Sequence, residues 1–271
     1  MFLEKCLAKI YYLVMIRKIF LLSFCINEYL SQGQSYLNTI VDISDCFFQR
    51  SIVFSGNGGV IYVSNSNYYI SISYSVFYSC SCSNSGGAIY CTSKSILISN
   101  VCGFSCSAVS EGNFAQLNGN INSSILYISL SMCSNQFVCD SSIIFQSTYD
   151  SIDSSNSSLN KAISEAGIDL HSTQVSMRFC TLSNNLISSS RNIHYYNTLG
   201  NTQYSNIVHS NSNSNGVFYI DKGSTTIESC VIRDNSNTLF YVSGGSLLLK
   251  HNFISHTSTL SYGQISLITN N

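Results

Sequence analysis

The chain has 271 residues, a formal net charge of −1 and only 9% charged residues, against 45% hydrophobic ones. That hydrophobic content excludes a disordered chain, and the dispersal of the few basic residues argues against nucleic-acid binding. The polarity comes from serine and asparagine, which suit turns and stacked side-chain ladders, so the composition is typical of an extracellular scaffold rather than of a cytosolic enzyme.

The first segment, residues 1–33, is apolar but interrupted. Arg17-Lys18 separates two apolar runs, and neither run reaches the ~20 residues needed to cross a bilayer. A basic pair followed by the apolar run 19–26 resembles a secretory signal, with Met15 as the start and cleavage near Gly33. The alternatives are a degenerate upstream coil and a gene-model extension. With a signal, we expect a secreted or cell-surface protein that has no transmembrane span in its mature form.

Residues 34–271 are predicted to form one all-β domain, a right-handed parallel β-helix of about nine coils. Gly58-Gly59-Val60-Ile61-Tyr62 returns as Gly86-Gly87-Ala88-Ile89-Tyr90, and short strands with period-two alternation follow each copy. Apolar anchors recur about every 26 residues if degenerate units lie near Ile152 and Ile207, and this period is typical of solenoids. The anchors are Ile43, Ile72, Ile98, Ile128, Met177, Ile227 and Leu249.

A second column of bulky residues lies five positions after the anchors. Phe48 and Phe77 occupy it in the first units, and Leu182, Ile232 and Ile254 occupy it later. Equal offsets predict vertical stacking in the core. An immunoglobulin-like sandwich also has short strands and polar turns, but it would not repeat the Gly-Gly-x-Ile-Tyr segment.

The chain contains 12 cysteines. Cys80 and Cys106 each follow an anchor by eight residues, so they are expected to face each other in adjacent coils. Strand spacing of ~4.8 Å lies within the range that a disulfide accepts, and the alternative is that both are free, buried thiols. No cysteine spacing predicts a zinc site, because Cys80-Ser81-Cys82 is too short and no histidine precedes His171. We therefore expect no metal and no cofactor.

Residues 149–170 are the least regular part of the pattern. Serine dominates the first half, and Ala162, Ile163, Ala166 and Ile168 follow at nearly helical spacing. We expect a loop with one helical turn that protrudes from a coil and carries a binding surface. Asn122 and Asn156 begin Asn-x-Ser sequences and are candidate N-glycosylation sites in a secreted chain.

The glycine repeats carry a family resemblance. Phe54, Asn57, Gly58, Gly59 and Ile61 together resemble the joined F-x-x-N and G-G-A-I motifs of polymorphic outer-membrane protein repeats, which also occur in surface proteins of parasitic protists. The second motif returns as Gly86, Gly87 and Ile89, whereas the first has decayed to Phe77-Tyr78-Ser79-Cys80. The resemblance implies a right-handed β-helix displayed at a surface, used for adhesion or antigenic variation, with a host-cell or extracellular protein or glycan as partner.

A carbohydrate-active enzyme is the alternative function, because glycoside hydrolysis and polysaccharide cleavage need carboxylates that converge. The candidate acids are Asp140, Asp150, Asp153 and Asp221. They lie at different offsets in the repeat, so we expect them to be solvated turn residues and the protein to be non-enzymatic. The glycine and asparagine motif residues are expected to shape turns rather than to bind a ligand.

Overall fold

The computed structural model describes residues 40–134, 139–189, 191–212, 216–235, 238–255 and 261–268. The amino-terminal segment 1–33, with its expected signal sequence, lies outside them. Within the described residues the protein is all-β and forms a right-handed parallel β-helix of about eight turns. The expected fold class is confirmed.

Within the described ranges the two stacked parallel sheets have 13 and nine strands, and sheet A is the longer. Its strands are β1 (Ile40–Ser44), β4 (Ile61–Ser64), β5 (Tyr69–Ser73), β8 (Ile89–Ser99), β10 (Ala115–Leu126), β12 (Ile143–Phe145), β13 (Tyr149–Asp153), β16 (Glu165–Leu170), β17 (Gln174–Arg178), β20 (Arg191–Gln203), β22 (Phe218–Glu228), β24 (Phe240–Lys250) and β26 (Ser261–Ile268).

Sheet B contributes one short strand to each coil and has nine strands, which accounts for about eight turns from the first to the last. They are β2 (Phe47–Gln49), β6 (Val76–Tyr78), β9 (Cys102–Phe104), β11 (Ser129–Ser131), β14 (Asn156–Ser158), β18 (Thr181–Ser183), β21 (Asn206–Val208), β23 (Val231–Arg233) and β25 (Phe253–Ile254). Two further pairs join β3 (Ile52–Val53) to β7 (Ser81–Cys82) and β15 (Lys161–Ala162) to β19 (Leu186–Ile187).

The anchors form one continuous column, with two corrections. Ile98 pairs with Ile125 rather than with Ile128, and Met177 pairs with Thr202 rather than with a residue near Ile207. Thr202 is polar, so the apolar pattern does not indicate it. It is nevertheless fully buried, and its hydroxyl forms a hydrogen bond with the Tyr195 hydroxyl. The expected unit at Ile152 is confirmed by its pairing with Met177.

The second column of bulky residues is confirmed. Phe48 pairs with Phe77 with ring centroids 5.0 Å apart, Leu182 stacks through Ile207 onto Ile232, and Ile232 pairs with Ile254. Since one coil cannot bury its own inward side chains, stacking of these columns supplies the hydrophobic core.

Each coil turns twice after its anchor, and both corners place a residue in the left-handed region. The first corner column has positive φ at Asp45, Tyr74, Asn100, Tyr127, Ser154, Phe179, Tyr204, Ser229 and His251. Glycine and asparagine are the residues that enter this region at low cost. The bulky members Tyr74, Tyr127, Phe179 and Tyr204 are about half exposed.

A polar ladder follows the second corner inside the solenoid. The backbone N–H of Cys133 donates to Asn160 Oδ1 at 2.8 Å. In the same way the backbone N–H of Asn160 donates to Asn185 Oδ1, and the backbone N–H of Ser210 donates to Asn235 Oδ1. These asparagines are buried. The ladder satisfies backbone donors that the turn would otherwise leave buried without partners.

The decayed F-x-x-N motif belongs to this ladder. The residue columns place Phe77-x-x-Cys80, Leu182-x-x-Asn185 and Ile232-x-x-Asn235 at equivalent positions, because the strands that begin these segments stack in register. Phe54 lies outside the column and is 88% exposed, so it is no part of the core. Its place in the first coil is taken by Phe48, which pairs with Phe77.

The expected loop at 149–170 is wrong. β13, β14, β15 and β16 make an ordinary coil, in register with β17 and β18 on one side. Ala162, Ala166 and Ile187 pack together as a small apolar cluster rather than as one face of a helix. The nearly helical spacing is overridden because neighbouring strands satisfy the backbone and bury the side chains.

Candidate functional site

The outer face of sheet A carries two concavities. The first, called the groove from here on, is lined by Tyr149, Gln174, Ser176, Leu199, Asn201, Ser224 and Thr226, together with Asp150, Glu228 and Lys250. The second, at the other end of the solenoid, is lined by Tyr69, Ser71, Ser95 and Leu97 with Ile40. Each concavity runs along the axis across successive coils.

Strand alternation explains why the groove is polar. In β5 and β8 the residues Ile70, Ile72, Ile96 and Ile98 point inward and are buried, so the residues between them face outward. The outward position before the anchor is occupied in successive coils by Asp42, Ser71, Leu97, Ser124, Ser151, Ser176, Asn201, Thr226 and Leu248. From Ser71 onward this column is uncharged and carries mainly hydroxyl and amide groups.

Charged residues border the groove in compensated pairs. Arg178 Nη2 lies 2.9 Å from Asp153 Oδ2, and Gln203 Nε2 donates to Glu228 Oε2 at 2.8 Å. Glu228 in turn pairs in register with Lys250. Opposite charges in adjacent coils leave the groove without a strong field of either sign.

Asp150 lies beneath the groove, with its side chain on the buried side of β13. The hydroxyls of Ser147 and Ser172 both donate to its carboxylate. Burial raises the pKa of Asp150 to about 6, although these hydrogen bonds act in the opposite direction. Asp150 is thus a carboxyl group that can hold a proton near neutral pH.

A cluster of one acid and two histidines lies on the neighbouring part of sheet A. β16 and β20 pair so that Asp169 stands directly beside His194. Asp169 Oδ1 lies 2.8 Å from His194 Nδ1 and 2.9 Å from His171 Nε2. These three ligand-type atoms all lie within 4.8 Å of one another.

The rings of the cluster are held by aromatic contacts. The His194 ring lies 5.3 Å from His171 and 5.2 Å from Tyr219, centroid to centroid, and Tyr196 lies 5.0 Å from His171. His194 is buried, and its Nε2 has no hydrogen-bond partner among the described residues. When Nδ1–H donates to Asp169, Nε2 keeps a buried lone pair without a donor.

An ion pair closes one side of the cluster. Arg191 Nε lies 2.7 Å from Glu165 Oε1, and the Arg191 guanidinium stacks over the Tyr219 ring at 4.7 Å. On another side, Lys222 Nζ lies 5.3 Å from the centre of the Tyr196 ring. Both cations are thus engaged with groups beside the cluster rather than with Asp169.

The protonation states follow from these contacts. Burial opposes ionisation of Asp169, but the hydrogen bonds to His171 and His194 outweigh it and lower its pKa to about 2. Burial also acts to lower the pKa of His171, but its contact with Asp169 prevails and raises it. For His194 burial prevails and the pKa is lowered. Burial, followed by the charge of Asp169, raises the pKa of Glu165 to about 8.

The acids singled out from the sequence do not converge. Asp140 is exposed, Asp150 is buried, and Asp153 faces outward towards Arg178. Asp221 lies three coils further on, paired with Tyr196 and Ser243. The residues that do converge, Asp169 and His194, were missed. Their separation of 25 residues equals the local repeat, so the period applied to Asp169 would have found His194.

The glycine motif residues lie where two coils approach closely. Ile61 pairs with Ile89, and the rings of Tyr62 and Tyr90 stack at 5.5 Å. A Cβ on Gly59 would lie 2.1 Å from the carbonyl oxygen of Gly87. Asn57 Oδ1 accepts from the backbone N–H of Ser85 in the next coil, at 3.1 Å. A third copy, Gly112-Asn113-Phe114-Ala115, was not recognised because only its first glycine remains.

Cys80 and Cys106 face each other as expected. The flanking pairs Tyr78–Phe104 and Ser81–Ser107 fix the alignment of their coils. The structure holds both as free thiols rather than as the disulfide that the spacing allows. A hydrogen bond with Cys106 and burial both raise the pKa of the Cys80 thiol.

The two candidate glycosylation sites lie in strands rather than in loops. Asn122 is exposed in β10, and Asn156 is half-buried in β14 between two paired strands. Glycosylation at these positions stays a prediction.

Comparison with family models, with curated proteins and with solved structures finds no match. Within the described ranges, no helix has the length and apolar character needed to span a membrane.

Proposed function

We propose that the protein is a non-enzymatic, secreted or surface-displayed β-helix that acts in adhesion by binding an extended glycan along the sheet A groove. The observation that carries the proposal is the groove itself, which is lined mainly by hydroxyl and amide groups and extends over successive coils. Its charged lining residues Glu228 and Lys250 pair in register with each other. A host-cell or extracellular glycan is the partner that matches this lining.

The groove chemistry suits neutral sugars. Gln174, Asn201 and Ser224 offer donors and acceptors to sugar hydroxyls, and Tyr149 and Leu199 are each about half exposed beside them. Aromatic and aliphatic surfaces can pack against the apolar faces of sugar rings. Because coils repeat every ~4.8 Å, the groove presents a regular series of similar contacts to a regular polymer.

The proposed location is supported by the sequence. The segment that resembles a secretory signal, the low content of charged residues and the glycine motifs of surface-protein repeats all favour display outside the cell. Antigenic variation is compatible with the same scaffold, because outward residues can change without altering the inward columns.

The test is binding of the purified full chain to an array of neutral and acidic polysaccharides and to cell surfaces. We expect binding to neutral polymers, weakened about tenfold or more by Tyr149→Ala or Asn201→Ala, since each removes a groove contact. Tyr127→Asn changes an equally exposed tyrosine at a corner outside the groove and serves as the matched control. Absence of binding, or equal binding by all variants, would overturn the proposal.

Polysaccharide cleavage is the second candidate, favoured by one observation: Asp150 lies beneath the groove with a pKa raised to about 6, in the range of a general acid. Glu228, another carboxylate lining the groove, lies three coils away, or ~14 Å, whereas paired catalytic carboxylates lie about 5 to 9.5 Å apart. This separation favours binding. Release of new chain ends from any polysaccharide, abolished by Asp150→Asn, would instead establish an enzyme.

A further inference from the structure

We propose that Asp169, His171 and His194 form a binding site for a divalent transition metal ion of the zinc type. The ion would take the place between the three side chains that protons occupy in the metal-free protein. This site is separate from the groove, so the inference does not rest on the proposed function.

The distances fit this role. In a tetrahedral zinc site with bonds of about 2.0 to 2.1 Å, neighbouring ligand atoms lie about 3.3 Å apart. Asp169 Oδ1 already lies 2.8 Å from His194 Nδ1 and 2.9 Å from His171 Nε2. A separation about 0.5 Å wider at each of these two contacts would admit the ion. His171 is the partly exposed member of the cluster, with its side chain 30% exposed.

The donor set selects the class of metal. Two imidazoles and one carboxylate suit zinc, cobalt, nickel or copper, whereas magnesium and calcium prefer oxygen ligands throughout. Three protein ligands leave a fourth position for water or for an oxygen of a bound molecule. This is the arrangement of open zinc sites rather than of closed structural ones, which have four protein ligands.

The charges around the cluster act in both directions. Arg191 Nε lies 2.7 Å from Glu165 Oε1, and the charge of Arg191 acts to lower the pKa of both histidines. The negative charge of Glu111 acts to raise the pKa of His171, and that of Asp140 acts to raise the pKa of Glu165. A metal bound at Nδ1 of His194 would replace the proton that Nδ1 now shares with Asp169, and Nε2 would then carry the ring proton.

The site would also tie two coils together. Asp169 and His171 belong to the coil of β16, and His194 belongs to the next coil through β20. Because only the folded chain brings the three together, bound metal would stabilise the fold by mass action.

The experiment is a titration of the full, chelator-treated chain with Co²⁺, followed by displacement with Zn²⁺. We expect one equivalent of Co²⁺ to bind with strong visible absorption, which reports tetrahedral coordination, and without a thiolate-to-cobalt charge-transfer band. His171→Ala and the nearly isosteric Asp169→Asn should each weaken binding about tenfold or more. The control is His209→Ala, which alters an exposed histidine 3.8 Å from Asp234 elsewhere on the solenoid.

Circular dichroism of each variant shows whether it is folded. His171→Ala removes a partly exposed ring, so it keeps the test valid even if Asp169→Asn unfolds the chain. No cobalt binding, a thiolate band, or binding that is unchanged in His171→Ala would each overturn the proposal. Tyr149→Ala should leave cobalt binding intact, which separates failure of the metal site from failure of the groove.

Discussion

The backbone N–H of Asn160 donates to the side-chain Oδ1 of Asn185, one coil further along the solenoid, at 3.1 Å. The side chain of Asn185 also donates a hydrogen bond, from its Nδ2 to the carbonyl oxygen of Ser157 at 3.1 Å. One buried side chain thus satisfies two backbone groups of buried residues.

Asn185→Ala should therefore lower the free energy of unfolding by about 2 to 3 kcal/mol, because a buried donor and a buried acceptor lose their partner. Urea unfolding followed by circular dichroism measures the change. Asn206→Ala, at an exposed position of β21, should alter stability by no more than about 0.5 kcal/mol. Equal effects of the two substitutions would contradict a role for the ladder.

Gly87→Ala should be among the most damaging single substitutions. A Cβ at this position would lie 2.1 Å from the Asn113 carbonyl oxygen and 2.5 Å from the backbone of Ser107. Because backbone cannot yield as a flexible side chain does, we expect a loss of about 3 kcal/mol or more, or no folded protein. Thermal melting of this variant beside Asn84→Ala, an exposed change in the same turn, tests the close approach of the coils.

Tyr127→Asn should stabilise the protein. Tyr127 is about half exposed and has a φ of 55°, a conformation that costs a bulky residue about 1 kcal/mol and that asparagine tolerates. We expect a gain of about 0.5 to 1 kcal/mol in urea unfolding. Tyr149→Asn, at a similarly exposed position with ordinary strand geometry, should give no such gain.

Stability should depend on pH through Asp150. The folded chain keeps the Asp150 proton up to about pH 6, whereas the unfolded chain releases it near 3.8. Between these values the folded state binds more protons at Asp150, so the contribution of Asp150 to stability falls as pH rises from about 4 to about 6 and is constant above. This fall should be about 3 kcal/mol.

Asp150→Asn should remove that fall and raise stability at pH 7. Urea unfolding at several pH values between 4 and 7 compares the two proteins. Glu165, whose pKa is raised from 4.5 to about 8, should give both proteins a further fall across that range. An identical pH dependence of the two proteins between about pH 4 and 6 would contradict the assignment to Asp150.

Buried thiols should resist alkylation in the folded state. Burial raises the pKa of Cys91 to about 12 and is the largest cause of a similar rise at Cys180. At pH 8 the thiolate fraction then falls about a thousandfold or more below that of an ordinary cysteine. Mass spectrometry after iodoacetamide treatment should show these residues unmodified in the native chain and modified in urea; rapid native labelling would show that the coils open.

The fold could be predicted from the sequence because inward columns repeat in apolar character. Phe48 and Phe77 revealed their stacking by size alone. The pattern failed where a polar residue takes an inward position, as Thr202 does, since its burial depends on a hydroxyl partner that only the folded chain supplies.

The site was harder to predict than the fold. Asp169 and His194 occupy an outward position that elsewhere holds Tyr62, Tyr90 or Tyr219, so no repeat of residue type marks it. His171 joins them from the end of β16, outside the paired column. Single acids such as Asp150 and Asp153 drew attention because they are close in sequence, yet strand alternation places them on opposite sides of the sheet.

The coils differ in length only in the flank that leads from the polar ladder to the next anchor. The step between anchors falls from 29 residues, between Ile43 and Ile72, to 22, between Ile227 and Leu249. The stretch from an anchor to the polar ladder keeps the same length throughout, as at Ile72 to Cys80 and Met177 to Asn185. Whole residues can thus be gained or lost on one flank without disturbing any column, and that flank is where foreign peptides should be grafted.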